Sequence, residues 1–197
     1  MPHYEHVKFL AVDTDAADMK KKANDASSGI LGRLDLSEFF DISCSSKLSN
    51  LFSKQRNNLA RDPAYREWLQ FDGGINFGAA TNGAGGIRQV GRYLLMRRAS
   101  QFVSTVKSLV NQITKNSTAS ARGVYVHIFS GLGGGTGSGT FLDACYLVRE
   151  ALHRANIQDN KIMGYFFLPD VSANKDGVSG AGQSYIELNG FAAIPEL

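Results

Sequence analysis

Apolar positions along this chain fall either at helical spacing or in short runs. Between residues 87 and 115, Val90, Leu94/Leu95, Phe102/Val103, Val106, Leu109/Val110 and Ile113 mark one helical face. That spacing predicts a helix over the stretch, ended by the polar run from Asn116 to Ser120. A second stripe, Phe141, Ala144/Cys145, Val148 and Leu152, predicts a helix from Thr140 to about Asn156. Predominantly apolar stretches at 7–12, 124–130 and 161–169 predict buried strands, with His127 inside the second as a hydrogen-bonded core residue. Asp62 followed by Pro63 is a helix start, since the carboxylate can cap and the ring fixes φ. Trp68, Leu69 and Phe71 behind it are expected on the core. Residues 36–41 suggest a helical turn, 16–19 the start of a turn or helix, and 185–194 a short helix weakened by Gly190.

The resulting order is strand, irregular insert at about 20–80, helix, strand, helix, strand, helix. Such alternation predicts a single α/β domain over 1–197, a mostly parallel sheet with flanking helices. Ligands of these sheets lie beyond the carboxyl ends of the strands. Asp13–Asp15, Gly131–Gly139 and the polar loop 170–182 all follow strands, so they are expected on one rim.

Composition mainly removes alternatives. A net charge of +3 over 197 residues is too slight to argue for nucleic acid or an anionic membrane. The basic clusters Lys20–Lys22 and Arg97–Arg98 read as solvated helix faces. No apolar run approaches the roughly 18 residues of a membrane span, and no signal peptide is visible. Cys44 and Cys145 form neither a disulfide framework nor a metal cluster, which makes a reducing cytoplasm the expected setting.

Glycine carries the chemistry. The run Gly131-Leu-Gly-Gly-Gly-Thr-Gly-Ser-Gly139 joins a strand to a helix. There a phosphate can reach bare backbone N–H groups at the positive helix end, with Thr136 and Ser138 adding hydroxyl donors. A second glycine loop, Gly83-Ala-Gly-Gly86, precedes the helix starting near 87. The Walker pattern fails, because no lysine lies between Lys115 and Lys161. The dinucleotide pattern fails in every register, and the four histidines show no ligand spacing.

Gly133-Gly-Gly-Thr-Gly-Ser-Gly139 resembles, residue for residue, the signature phosphate loop of the tubulin/FtsZ family. Ala84–Gly86 with Val90-Gly91-Arg92 is similar to the family's preceding glycine loop and helix. Phe9–Asp15 resembles its second strand and acidic loop, Tyr165–Pro169 a later strand, and Glu187–Ala193 more loosely the helix beyond the ribose loop. The resemblance implies a Rossmann-like GTPase domain of a divergent, prokaryotic tubulin-like protein that binds GTP or GDP. On this reading Gly133, Gly134, Gly135, Thr136, Gly137, Ser138 and Gly139 wrap the phosphates. Ala84, Gly85 and Gly86 lie near the terminal phosphate, and Asp13 and Asp15 hold Mg²⁺, directly or through water. Asp176 or Glu187 reaches the ribose. The alternative for Asp13 and Asp15 is capping of the following turn, and for Gly83–Gly86 an ordinary turn before a helix. Arg88 and Arg92 suit the surface better than the phosphates.

The family's first strand with its glycine loop, and its central helix with the catalytic acidic loop, have no counterpart here. The expectation is therefore a fragment lacking the first strand and the C-terminal half, a degenerate descendant being the alternative. No catalytic residue is assigned, and turnover by this chain alone is not expected. The implied function is that of a GTPase filament subunit when intact, which associates with its own copies. The alternative is a non-polymerising tubulin-like interaction module, motivated by the enlarged 20–80 segment.

Overall fold

The computed structural model describes residues 6–24, 34, 36–44, 56–70, 83–115, 123–170 and 181–197. The elements are β1 (Ala11–Asp13), α1 (Ala16–Asn24), a 3₁₀ turn (Leu36–Glu38), β2 (Phe39–Asp41) and α2 (Pro63–Arg66). They continue with α3 (Arg88–Met96), α4 (Ala99–Lys115), β3 (Val124–Gly131), α5 (Gly135–Arg154), β4 (Asn160–Phe167), α6 (Ala181–Ala193) and a 3₁₀ turn (Ile194–Glu196). β1 pairs with β2 from Ala11↔Phe39 to Asp13↔Asp41, and β3 with β4 from Val124↔Asn160 to Gly131↔Phe167. Both pairings are parallel, as the α/β reading requires.

Much of the helical reading holds. Val90, Leu94, Leu95, Phe102, Val103, Val106 and Val110 are all buried and face Val148, Ala151 and Leu152 of α5. Asp62 caps α2 by accepting the Ala64 N–H at 2.9 Å, with Pro63 in the first turn. Leu69 is buried and Trp68 packs on the same core; Phe71 lies outside the described residues.

The expected single helix over 87–115 is instead two, separated at Arg97–Arg98. No glycine or proline breaks it. The Arg98 N–H closes a tight turn on the Leu95 carbonyl, and its guanidinium donates to the Asp41 carbonyl at the end of β2. Tertiary contact therefore sets the break. The expected helical turn at 36–41 is also corrected. Only Leu36–Glu38 turns, because Phe40 must point inward to meet Phe102 edge-on at 5.4 Å, and the backbone there pairs with β1. The stretch 20–80, read as an irregular insert, thus contributes a strand, and Ile42, Leu59 and Leu69 to the core.

The strands are less buried than their composition suggests. Val7 and Phe9 are exposed, and pairing begins only at Ala11. Along β3, Val124, Val126 and Ile128 pack on the core, whereas Tyr125, His127 and Phe129 are exposed. His127 is therefore no core residue. Its Nδ1 lies 3.1 Å from the Tyr165 hydroxyl, its ring stacks on Tyr165 at 5.6 Å, and Phe129 stacks on the same ring at 4.6 Å. Aliphatic and aromatic residues alternate here, so a two-residue period passes for a predominantly apolar stretch.

α5 begins at Gly135, not at Thr140. Glycine disfavours helix by about 1 kcal/mol per residue, so close packing must compensate. At its far end Asn156 adopts φ 58°, the Asn156 N–H bonds the His153 carbonyl and the Ile157 N–H the Leu152 carbonyl. That is a Schellman closure with asparagine in the left-handed position. A small second core of Leu132, Phe141 and Ala193, joined by Leu142 and Phe166, fastens α6 beside the start of α5. Among the described residues, no helix is long and apolar enough to cross a membrane.

Candidate functional site

The helix break-in at Gly135 creates the site. Gly134 is the N-cap of α5, with φ −86° and ψ 163°, and has no side chain to cap the helix. The first turn carries no acidic residue. The opening N–H groups, Gly134 to Gly137, therefore keep their hydrogen-bonding capacity and the partial positive charge of a 20-residue helix. The first internal bond runs from the Ser138 N–H to the Gly134 carbonyl.

The glycines around this end have different reasons to be glycine. A Cβ on Gly134 would meet nothing within 4 Å, as is also true of Gly131 and Gly86. A Cβ on Gly135 would lie 2.5 Å from the Ile87 nitrogen and 2.8 Å from the Gly86 carbonyl carbon. On Gly139 it would strike the Arg88 carbonyl, on Gly137 the Gly131 carbonyl, and on Gly91 the Gly135 carbonyl. Gly133 is closed off by Ile186 at 2.8 Å. Most of the signature thus brings α3, β3 and α6 against the first turns of α5. Those contacts hold its N–H groups in place.

The second glycine loop lies beside this end. Gly83, Gly85 and Gly86 have φ of 77°, 58° and 75°, values L side chains rarely adopt, and the Ile87 N–H closes the turn on the Ala84 carbonyl at 3.0 Å. Ala84 is buried and its N–H donates to Thr14 Oγ1 at 3.0 Å. Thr14 Oγ1 in turn lies 2.6 Å from Thr136 Oγ1. Thr14 is only 3% exposed, so its own proton has no access to solvent and is best satisfied by donation to Thr136. Thr136, half-buried, then keeps its hydroxyl proton for the rim.

Asn189 is the residue that sequence reasoning missed as part of this site. It is buried on α6, and its Nδ2 donates to the Gly86 carbonyl at 2.7 Å and the Gly133 carbonyl at 2.9 Å. A signal was present. Ile186, Asn189, Gly190 and Ala193 share one helical face, and a lone amide on a face packed against Gly133 and Pro169 requires partners. Ser138 is fully buried, and its hydroxyl donates to the Asn189 carbonyl at 3.3 Å. The donor expected to face an anion is therefore turned toward α6.

Asp13 Oδ1 accepts the Thr14 N–H at 2.6 Å and the Asp15 N–H at 3.2 Å. Asp15 Oδ1 caps α1 through the Ala17 and Asp18 N–H groups at 3.0 and 3.1 Å. Both carboxylates flank Thr14 and so adjoin the same end of α5. Among the described residues, no three His, Cys, Asp or Glu side chains cluster as a metal site. Glu187 is exposed on α6, and Asp176 lies outside the described residues. Arg88 donates to the Ser138 carbonyl at 3.2 Å and pairs with Glu196, while Arg92 grips Asp143 at 2.8 and 3.2 Å beneath Trp68. Neither arginine is available to an anion at Gly134.

The arrangement is a cradle of backbone N–H groups and one hydroxyl, with no cation aimed into it among the described residues, and its chemistry suits a phosphate chain. A family model described as "Tubulin like" matches residues 2–197. No curated protein and no solved structure matches the chain.

Proposed function

The chain belongs to the tubulin-like family, and we propose on that premise that it binds a guanine nucleotide, GTP or GDP, by its phosphates at the start of α5. The observation that carries the reading is the uncapped N-terminus at Gly134, flanked by the Gly83–Gly86 turn and the Thr14–Thr136 hydroxyl contact. Gly134–Gly137 supply N–H donors and Thr136 a hydroxyl. Ala84 has given its N–H to Thr14 and acts by shaping the turn. Gly85 and Gly86 keep that wall free of side chains where a terminal phosphate would lie.

Asp13 and Asp15 fit a Mg²⁺ ion that accompanies the phosphates. Each uses one oxygen within its own loop, and this ion takes one or two carboxylates and keeps several waters. Bound there, the ion would neutralise phosphate charge. Glu187 or Asp176 would meet the ribose. Guanine is inferred from the family. So is the wider role, a cytoplasmic GTPase subunit that associates with its own copies when intact.

Titration with a fluorescent GTP analogue tests the reading. Saturable binding, displaced by GTP and GDP but not by ATP and weakened by chelating Mg²⁺, is the expected result. Absence of binding, or displacement by ATP as readily as by GTP, overturns it.

A further inference from the structure

The Asn189 amide bridges both walls of the cradle, and this has a consequence for the donors themselves. In a trans peptide the C=O and the following N–H point in opposite directions. Drawing the Gly133 carbonyl onto Nδ2 at 2.9 Å therefore aims the Gly134 N–H away from α6, toward the exposed N-cap side. Drawing in the Gly86 carbonyl at 2.7 Å likewise turns the Ile87 N–H back to the Ala84 carbonyl that closes the second turn. One NH₂ group spends both its hydrogens on this pair, so it has none for a ligand. Its own backbone carbonyl holds Ser138 in the next turn of α5.

We infer that Asn189 is the positioning residue of the phosphate cradle, fixing the Gly133–Gly134 peptide with its N–H toward the anion and locking the Gly83–Gly86 turn beside it. This rests on the nucleotide reading for its effect on affinity, but the ordering of the two loops stands independently of any ligand. The informative substitution is Asn189→Asp, of equal size but without a donor when ionised. A carboxylate buried against two carbonyls is disfavoured, so it takes up a proton readily as pH falls and regains one O–H donor.

The test compares this variant with the unsubstituted protein in two measurements, with Asn189→Leu as a second variant that keeps the volume without a charge. Amide hydrogen exchange without nucleotide is expected to accelerate in 83–87 and 133–139 in both variants, with α4 unchanged. Affinity for the fluorescent GTP analogue is expected to fall by about 10- to 100-fold. For Asn189→Asp alone, the ratio to the unsubstituted protein should recover as pH is lowered toward 5. Unchanged exchange in both loops, or folded variants that bind within twofold of the unsubstituted protein, overturns the proposal. If the unsubstituted protein itself fails to bind nucleotide, the function reading falls, and the loop exchange still decides whether Asn189 orders the cradle.

Discussion

Thr14 and Thr136 stand 122 positions apart in sequence, and their hydroxyl oxygens lie 2.6 Å from each other. The pair joins the acidic turn after β1 to the first turn of α5, and the Ala84 N–H on Thr14 adds the second glycine loop. Thr14→Val keeps the shape but removes both interactions, leaving the Ala84 N–H buried without a partner. A loss of about 1–3 kcal/mol is expected in a urea titration, whereas Thr14→Ser should lose under about 1 kcal/mol. Equal stability of the valine and serine variants would show that the hydroxyl is not needed.

Gly134→Ala and Gly135→Ala should part company. The first adds a methyl into open space at an ordinary φ and should cost no more than about 1 kcal/mol, the N-cap preference for glycine over alanine. The second drives a Cβ to 2.5 Å from the Ile87 nitrogen and should cost more than about 2 kcal/mol. On the proposed nucleotide reading, Gly135→Val should abolish binding of the fluorescent GTP analogue by displacing the Gly83–Gly86 turn. Thermal melts of the two alanine variants in parallel decide this; similar midpoints would contradict the packing described.

At the other end of α5, Asn156 sits at φ 58°. Asn156→Ala forces a Cβ without a local hydrogen-bonding group into the left-handed region, with an expected loss of about 1 kcal/mol. Asn156→Gly should match or exceed the parent. A chemical denaturation series reads both, and an alanine variant as stable as glycine would argue against the Schellman closure.

Tyr93 is 1% exposed, and burial raises its phenol above the ordinary tyrosine range, although the Arg97 charge pulls the other way. A group whose folded value is raised keeps its stabilising contribution below its unfolded value, about 10, and loses it as pH climbs through the folded one. Stability should therefore decline above about pH 10, and Tyr93→Phe should decline less over the same window. Parallel curves for the two proteins between pH 9 and 11 would remove Tyr93 as the cause.

The sequence revealed what depends on local period. The stripe from Val90 to Val110 and the Asp62–Pro63 start are local signals, and both are realised. The signature heptapeptide is likewise a local signal, and it falls at the uncapped start of α5. What the sequence hid depends on partners distant along the chain. β2 exists because Phe40 finds Phe102, and the break at Arg98 because Asp41 offers a carbonyl. His127 is exposed because, among the described residues, the face of β3 that meets helices is that of Val124, Val126 and Ile128, which a row of mixed aliphatic and aromatic residues does not reveal. Asn189 matters through carbonyls 56 and 103 residues away, beyond any local spacing rule.

Where α3 crosses α5 at Gly91, Gly135 and Gly139, backbone meets backbone. Side chains at a helix crossing act as springs that absorb displacement by changing rotamer. At these three glycines there are none, and the flanking Arg92–Asp143 pair and the Arg88 contact with the Ser138 carbonyl tie the two helices together. Little slack therefore separates the start of α5 from α3, and just beyond the far end of α3 the Arg98 guanidinium meets the last carbonyl of β2. Mechanically, the uncapped end of α5 and the edge of the first sheet are two ends of one stiff lever.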